Sequence, residues 1–252
     1  VGDGGTAHAD SIPADSSVII PTATGHGYWT VKGLGDVSRH GDAGFCGLPE
    51  QLHLEHLIVA AAGFPGGKGC WLAASDGAVI GYGDAKSMGA PPSLKGDNPI
   101  VGMAATPSGA GYWLAASEGQ VFGFGDAGAL QSKGTSKAAR PIVGIASSGA
   151  GGYWLAASNG EVMAFGDAPA FSGSSPLKAG DVITGIAAAP GAKGGWLSGF
   201  SGEIYPFGDA PRLTTPARIT EPVVSIAATP SGKGLLLGGL NGKVWPVGDA
   251  AG

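Results

Sequence analysis

The chain has 252 residues, 43% hydrophobic and 13% charged, with a formal net charge of −5. The apolar content excludes a disordered tract, although 49 residues are glycine and 18 proline. Mild acidity excludes a binder of phosphate backbones, which needs clustered Lys and Arg, and no apolar run reaches the roughly 20 residues that span a bilayer, so neither nucleic acid nor membrane insertion is expected.

Gly-Asp pairs punctuate the chain at Gly2-Asp3, Gly41-Asp42, Gly83-Asp84, Gly125-Asp126, Gly166-Asp167, Gly208-Asp209 and Gly248-Asp249. The aspartates lie 39, 42, 42, 41, 42 and 40 residues apart. Trp29, Trp71, Trp113, Trp154 and Trp196 keep step with them, and Leu236 takes the sixth place. A period of this length is the spacing of propeller blades, and it marks residues 1–252 as one domain of six repeats of about 42 residues.

In chain order, Val1-Gly2-Asp3 comes first and reads like the end of a repeat. The following "GGTAHADS" corresponds to a run that the last repeat lacks after Ala250. This N-terminal segment is therefore expected to complete the C-terminal blade and remove the open sheet edges. The duplicated Val-Gly-Asp implies either a displaced copy or the remnant of a seventh blade. The first unit, Gly27–Ala43, is the least regular. "LPEQLHLEHLIVAAA", Leu48–Ala62, is the one stretch that could carry a helical turn before its strand.

From there each repeat reads as an apolar run, a Gly-rich turn, "YWLAAS" or a variant, a tight turn and a run ending in Gly-Asp. The tight turns are Asp76-Gly77, Glu118-Gly119, Asn159-Gly160, Ser201-Gly202 and Asn241-Gly242. Asn-Gly and Asp-Gly between apolar runs predict two-residue type I′ hairpins. Each repeat is thus a meander of at least three strands, and the variable run after Gly-Asp, such as "AKSMGAPP", offers an outer fourth. In "GYWLAAS", Tyr153, Leu155 and Ala157 take one face, and Trp154 and Ala156 the other. Both faces are apolar, so each sheet needs cover on both sides. The predicted fold is all-β: a β-propeller of about six blades, seven possible, each a three- to four-stranded antiparallel meander. Small residues suit the axis, and Trp, Tyr and Phe suit the wider outer gap.

The Asp after each Gly is expected to accept hydrogen bonds in the turn rather than to bind a metal, because the copies lie far apart around a ring. The Trp series is expected in the core between blades. Trp245 occupies a slot filled elsewhere by Ser38, Ile80, Phe122, Met163 and Tyr205, and this variety points to a more exposed position. His40 stands in a slot held by Tyr82, Phe124, Phe165 and Phe207, so it is expected to fill an aromatic place. His53, Glu55 and His56 form "HLEH", which lacks zincin spacing and is a weak metal candidate. Cys46 and Cys70 fall on neighbouring blades; a disulfide closing about 25 residues, contributing roughly 3 kcal/mol, and a buried unbonded pair both stay open. No nucleophile elbow, S-x-x-K or Walker loop is present, so no cofactor and no catalysis are expected.

The unit "GYWLAASEGQVFGFGDA", Gly111–Ala127, resembles the GYWLxASDGGxFxFGDA-type repeat of secreted, mostly actinobacterial proteins. Near-matches stand at Gly69–Ala85 and Gly152–Ala168, and looser copies at Gly195–Ala210, Gly234–Ala250 and Gly27–Ala43. The resemblance implies an extracellular or cell-surface binding or scaffolding role and supplies no catalytic residues. The hairpin tips Asp76, Glu118, Asn159, Ser201 and Asn241 are expected on one ring end, with Lys95–Asn98 and His53–His56. That end, with Trp245, is the expected contact surface for glycan or cell-wall polymer. The alternatives are a structural subunit that pairs with other protein subunits in an extracellular assembly, and a metal-dependent hydrolase built on the first-repeat histidines.

Overall fold

The computed structural model describes residues 16–44, 56–65, 68–92, 94, 98–130, 140–149, 151–171, 176–191 and 193–250. Among the described residues eighteen strands form six antiparallel sheets of three, each in sequence order. The first blade holds β1 (Ser17–Pro21), β2 (Gly27–Lys32) and β3 (Val37–Gly41); the second β4 (Ile58–Gly63), β5 (Gly69–Ala74) and β6 (Val79–Gly83). The third holds β7 (Ile100–Ala105), β8 (Gly111–Ala116) and β9 (Val121–Gly125); the fourth β10 (Ile142–Ser147), β11 (Tyr153–Ala157) and β12 (Val162–Phe165). The fifth holds β13 (Ile183–Ala188), β14 (Gly194–Gly199) and β15 (Ile204–Gly208); the sixth β16 (Val223–Ala228), β17 (Gly234–Gly239) and β18 (Val244–Gly248).

The leading strand of each blade meets the leading strands of both neighbours, β1 against β16 included, so the sheets close into a ring. The fold is a six-bladed β-propeller. Small residues let the leading strands approach. A Cβ on Gly102 of β7 would lie 2.9 Å from the backbone nitrogen of Ile145 on β10. Five of these strands also carry a register shift at their second residue, for example between Ile100 and Gly102. A bulge there bends the strand and increases its twist.

The outer layer is aromatic, as the taper requires. Trp71 faces Tyr112 of the next blade at 5.7 Å between ring centroids, and Trp113 faces Tyr153 at 5.5 Å. In the fifth blade Gly195 stands where the first, third and fourth blades have Tyr, and Phe207 fills the space, 5.5 Å from Trp154. Trp29 shares a core cluster with Cys70, Trp196 with Leu235, and Leu236 with Tyr28. The last pair closes the ring with the same packing that joins the other blades. Trp71, Trp113, Trp154 and Trp196 are at most 1% exposed. The tryptophan core and the aromatic place of His40 are both as expected, with His40 stacked on Tyr28 at 4.5 Å.

Hydrogen bonds reinforce this closure at one ring end. The amides of Ile58, Ile100, Ile142, Ile183 and Val223, which open their leading strands, donate to the carbonyls of Gly33, Ser75, Ser117, Ser158 and Phe200 in the preceding blade. At the closing junction Ser225 Oγ donates to the Ser17 carbonyl at 2.9 Å.

No fourth strand forms between Gly208 and Val223, where every residue is described. The run after Gly-Asp instead supplies carbonyls to the core: the indoles of Trp29, Trp71, Trp154 and Trp196 donate to Gly44, Lys86, Pro169 and Pro211, each fifteen residues on. The third blade differs. A short 3₁₀ helix, Asp126–Leu130, occupies this run, and Trp113 Nε1 is buried without a partner. The expected docking of the N-terminal segment on the last blade, the helical turn before Ile58, and Cys46 with its pairing to Cys70 fall outside the described residues. Cys70 itself is buried in β5.

Candidate functional site

The hairpins between the second and third strands of each blade, and the residues that lead into the first strands, share one ring end. Their turns differ from the expected two-residue loops. Ala74 N donates to Ala78 O at 2.9 Å and Gly77 N to Ala74 O at 3.0 Å, which leaves a three-residue loop with Gly77 at φ +94°. This is a type I turn followed by a left-handed glycine, the next commonest hairpin solution. The same bonds recur around Gly119, Gly160, Gly202 and Gly242. The Gly signal is right and the turn type is not: only the glycine needs positive φ, and the tip residue before it does not.

Asp76, Glu118, Asn159, Ser201 and Asn241 thus sit at five successive tips, each on its own blade. They do not converge, and local bonds hold most of them. Asp76 accepts from the Ala78 amide at 3.0 Å and lies 3.5 Å from His56 Nε2. Asn159 accepts from the Glu161 amide at 3.2 Å. The Asn98 side chain, buried in front of β7, accepts from the Glu118 amide at 2.8 Å and donates to Gln120 Oε1 at 3.2 Å. In the fifth blade Asp181 accepts from Ser201 Oγ at 2.8 Å, from the Ser201 amide at 3.0 Å and from Tyr205 OH at 2.6 Å. In the sixth, Asn241 Nδ2 donates to Glu221 Oε2 at 2.7 Å.

In the second, third, fifth and sixth blades the residue two places before the leading strand therefore straps the hairpin tip about twenty residues on. Sequence reading missed these straps. Aligned on the first residue of the leading strand, His56, Asn98, Arg140, Asp181 and Glu221 do occupy one column, but their chemistry varies. Burial raises the Asp181 carboxyl, yet Tyr205, Ser201 and the Val182 amide together hold it below the ordinary range. The same environment pushes the Tyr205 phenol up to about 12, burial first and the Asp181 hydrogen bond second.

Trp245 is not the exposed ring its variable slot suggested. It is 7% exposed, and its Nε1 is buried without a partner. Lys243 Nζ lies 5.2 Å above its ring. A Cβ on neighbouring Gly239 would come within 2.8 Å of that ring and 2.1 Å of Glu221 Oε1. Trp245 thus floors this end rather than lining its surface. His53 and Glu55 lie outside the described residues. Among the described residues no group of three His, Cys, Asp or Glu side chains is placed to hold a metal ion.

Large exposed hydrophobic side chains also mark this end. Among the described residues these are Leu34, Val182 and Phe200, at 59%, 49% and 50% exposure. Leu34 is at the first-blade tip, Val182 leads into β13, and Phe200 begins the fifth-blade tip. Phe200 is fixed at the backbone: its amide donates to Val182 O at 2.7 Å and its carbonyl accepts from Val223 N at 3.1 Å.

At the opposite end three of the Gly-Asp turns are structural, but not through the bonds expected. Asp42 accepts from Thr22 Oγ1 at 2.9 Å and also from Thr24 Oγ1. Asp249 accepts from Thr229 Oγ1 at 3.1 Å and Ser231 Oγ at 2.7 Å. Asp126 accepts from Ser108 Oγ. The partners are hydroxyls of the preceding hairpin, in a Thr-x-Thr or Thr-x-Ser motif that sequence reading passed over.

The chain matches no known protein family by sequence, and no curated protein matches it. By structure it is similar to the β-propeller domain of Cps50 (Swd1) from Myceliophteria thermophila, with a TM-score of 0.60 at 12% identity over 92% of this chain and 96% of that one. At that identity the likeness speaks for the fold alone. No helix among the described residues is long and apolar enough to cross a membrane.

Proposed function

We propose that the chain is a non-enzymatic binding scaffold that engages its ligand through the hairpin-tip end of the ring, outside the cell as its repeat resemblance implies. The observation that carries this reading is the gathering of Leu34, Val182 and Phe200 on that end. Exposed apolar side chains grouped on one surface mark contact sites, and these stand on a backbone already fixed by hydrogen bonds, so little ordering cost remains for binding.

Of the two ligand classes open from sequence, protein is favoured over glycan. Sugar rings stack on exposed aromatic faces and need free polar groups beside them. Here Phe200 offers an aromatic face, but the tip groups of Asp76, Asn159, Ser201 and Asn241 already hold internal partners, and Trp245 is buried.

The test measures retention of the protein on peptidoglycan, on insoluble glucans and on an immobilised random-peptide library. Wild type is compared with Leu34→Ser/Phe200→Ser, on the tip end, and with Lys68→Ala/Lys193→Ala, on the other. Binding reduced by the first pair and kept by the second is the expected result. Binding indifferent to the tip pair removes this face.

A further inference from the structure

Four slots of the repeat change together as the ring passes from the fourth blade to the fifth. The residue after the second strand is Ser75, Ser117 and Ser158 in blades two to four, then Phe200 and Leu240. The strap position is His56, Asn98 and Arg140, then Asp181 and Glu221. The last residue of the second strand is Ala74, Ala116 and Ala157, then Gly199 and Gly239. The residue beneath the strap is Ile80, Phe122 and Met163, then Tyr205 and Trp245.

The glycines explain the coupling. A Cβ at Gly199 would stand 2.0 Å from Asp181 Oδ2, and one at Gly239 would stand 2.1 Å from Glu221 Oε1. Removing those methyl groups seats each carboxylate directly over the strand end, against Tyr205 or Trp245, next to the new apolar side chain. Around this mouth, Val182 and Phe200 of blade five, Leu240 of blade six and Leu34 of blade one form an apolar arc over three consecutive blades. Asp181, Glu221 and Asp36 accompany it. Two nearby cations are engaged, Lys178 with Glu203 at 3.3 Å and Lys243 with the Trp245 ring.

We propose that this arc docks a protein segment that inserts a large apolar or aromatic side chain against Phe200 and Leu240 and places Lys or Arg beside Asp181 and Glu221. The proposal rests on the ring-end reading above and narrows it to one partner chemistry. Apolar contact supplies affinity and the carboxylates select the flanking charge. Blades two to four carry the opposite choice at both slots, so the site is one-sided and the partner has a single orientation.

The experiment selects a phage-displayed random-peptide library on the wild-type chain and measures the enriched peptides by fluorescence anisotropy. Two variants test the site. Phe200→Ser/Leu240→Ser restores the residue that blades two to four carry, so the fold tolerates it, and thermal unfolding checks this. Asp181→Asn/Glu221→Gln removes the charge and keeps the shape. Enriched peptides are expected to share an aromatic or large aliphatic residue within two places of Lys or Arg, to lose at least tenfold in affinity with the Ser pair, and to lose several-fold with the amide pair. An acidic or absent consensus overturns the proposal, as does equal binding to the Ser pair. Peptides that bind both arc variants normally but fail on Asp76→Ala/Glu118→Ala overturn the arc and leave the ring-end reading intact; peptides indifferent to all three overturn both. Concentration-dependent dimerisation of wild type, abolished by the Ser pair, overturns the foreign segment in favour of a second copy.

Discussion

Ser231 Oγ donates to Asp249 Oδ2 at 2.7 Å, and with Thr229 it clasps the hairpin of the last blade to the turn that ends it. The Ser231 hydroxyl, against the opposing effect of burial and aided by Thr229, holds the Asp249 carboxyl below its ordinary range. Thr24 does the same for Asp42. A carboxyl depressed in the folded state stabilises above its unfolded pKa, near 4, and that stability is lost as pH falls through the folded value.

Asp249→Asn is therefore expected to lower the urea midpoint at neutral pH and to approach wild type as the solution is acidified below about pH 4. Urea melts of both proteins from pH 7 to pH 2.5 check this. A gap that stays constant across that range removes the clasp as a source of acid sensitivity.

Trp71 and Trp113 share a slot but not a partner. Trp71 Nε1 donates to Lys86 O at 2.8 Å, while Trp113 Nε1 is buried and unpaired beside the 3₁₀ helix. Trp71→Phe loses ring area and orphans a carbonyl; Trp113→Phe loses ring area and relieves an unsatisfied donor. Trp71→Phe is expected to cost more, by about 1 kcal/mol, the net value of one hydrogen bond. Equilibrium denaturation of the two variants measures the difference, and equal costs would refute it.

The ring was legible because its cause is periodic. Trp29 to Leu236 and Asp42 to Asp249 recur at blade spacing, and two apolar faces on "GYWLAAS" leave only mutual burial. The His40 place followed from the same alignment. Properties that depend on a neighbouring slot were not legible. Trp245 looked exposed because its slot varies, yet the variation tracks Gly239 and Glu221 above it. The Asp clasps were hidden because their hydroxyl donors lie about twenty residues upstream, across a hairpin. The turn type was missed because Asp-Gly and Asn-Gly suit two loops, and pairing such as Ala74 with Ala78 decides between them.

Gly102 tests how tightly the axis is packed. A Cβ there would meet the Ile145 backbone nitrogen at 2.9 Å and Gly144 Cα at 3.1 Å on the next blade. Backbone on a closed ring has little room to retreat, so Gly102→Ala is expected to destabilise by about 1–3 kcal/mol, the usual cost of overpacking. At Gly128 the nearest contact is an ordinary 3.8 Å, and Gly128→Ala is expected to change stability by less than about 0.5 kcal/mol. Thermal melts that rank them the other way would show the leading strands are not pressed together.

Tyr153 and Tyr205 give a probe of both interiors from one titration. Burial pushes the Tyr153 phenol up to about 12, and burial with the Asp181 hydrogen bond does so for Tyr205. A phenol raised in the folded state adds stability that is complete below the unfolded pKa, near 10, and is lost as pH rises through the folded value. Absorbance of the ionised phenols should therefore show a late component near pH 12, drawn from these two of the five tyrosines. Tyr205→Phe should remove about half of it. Asp181→Asn should move the Tyr205 part toward 10 and leave the Tyr153 part in place, because only Tyr205 bonds to that carboxylate. A late component unchanged by Asp181→Asn would mean that the strap of the fifth blade does not hold in solution.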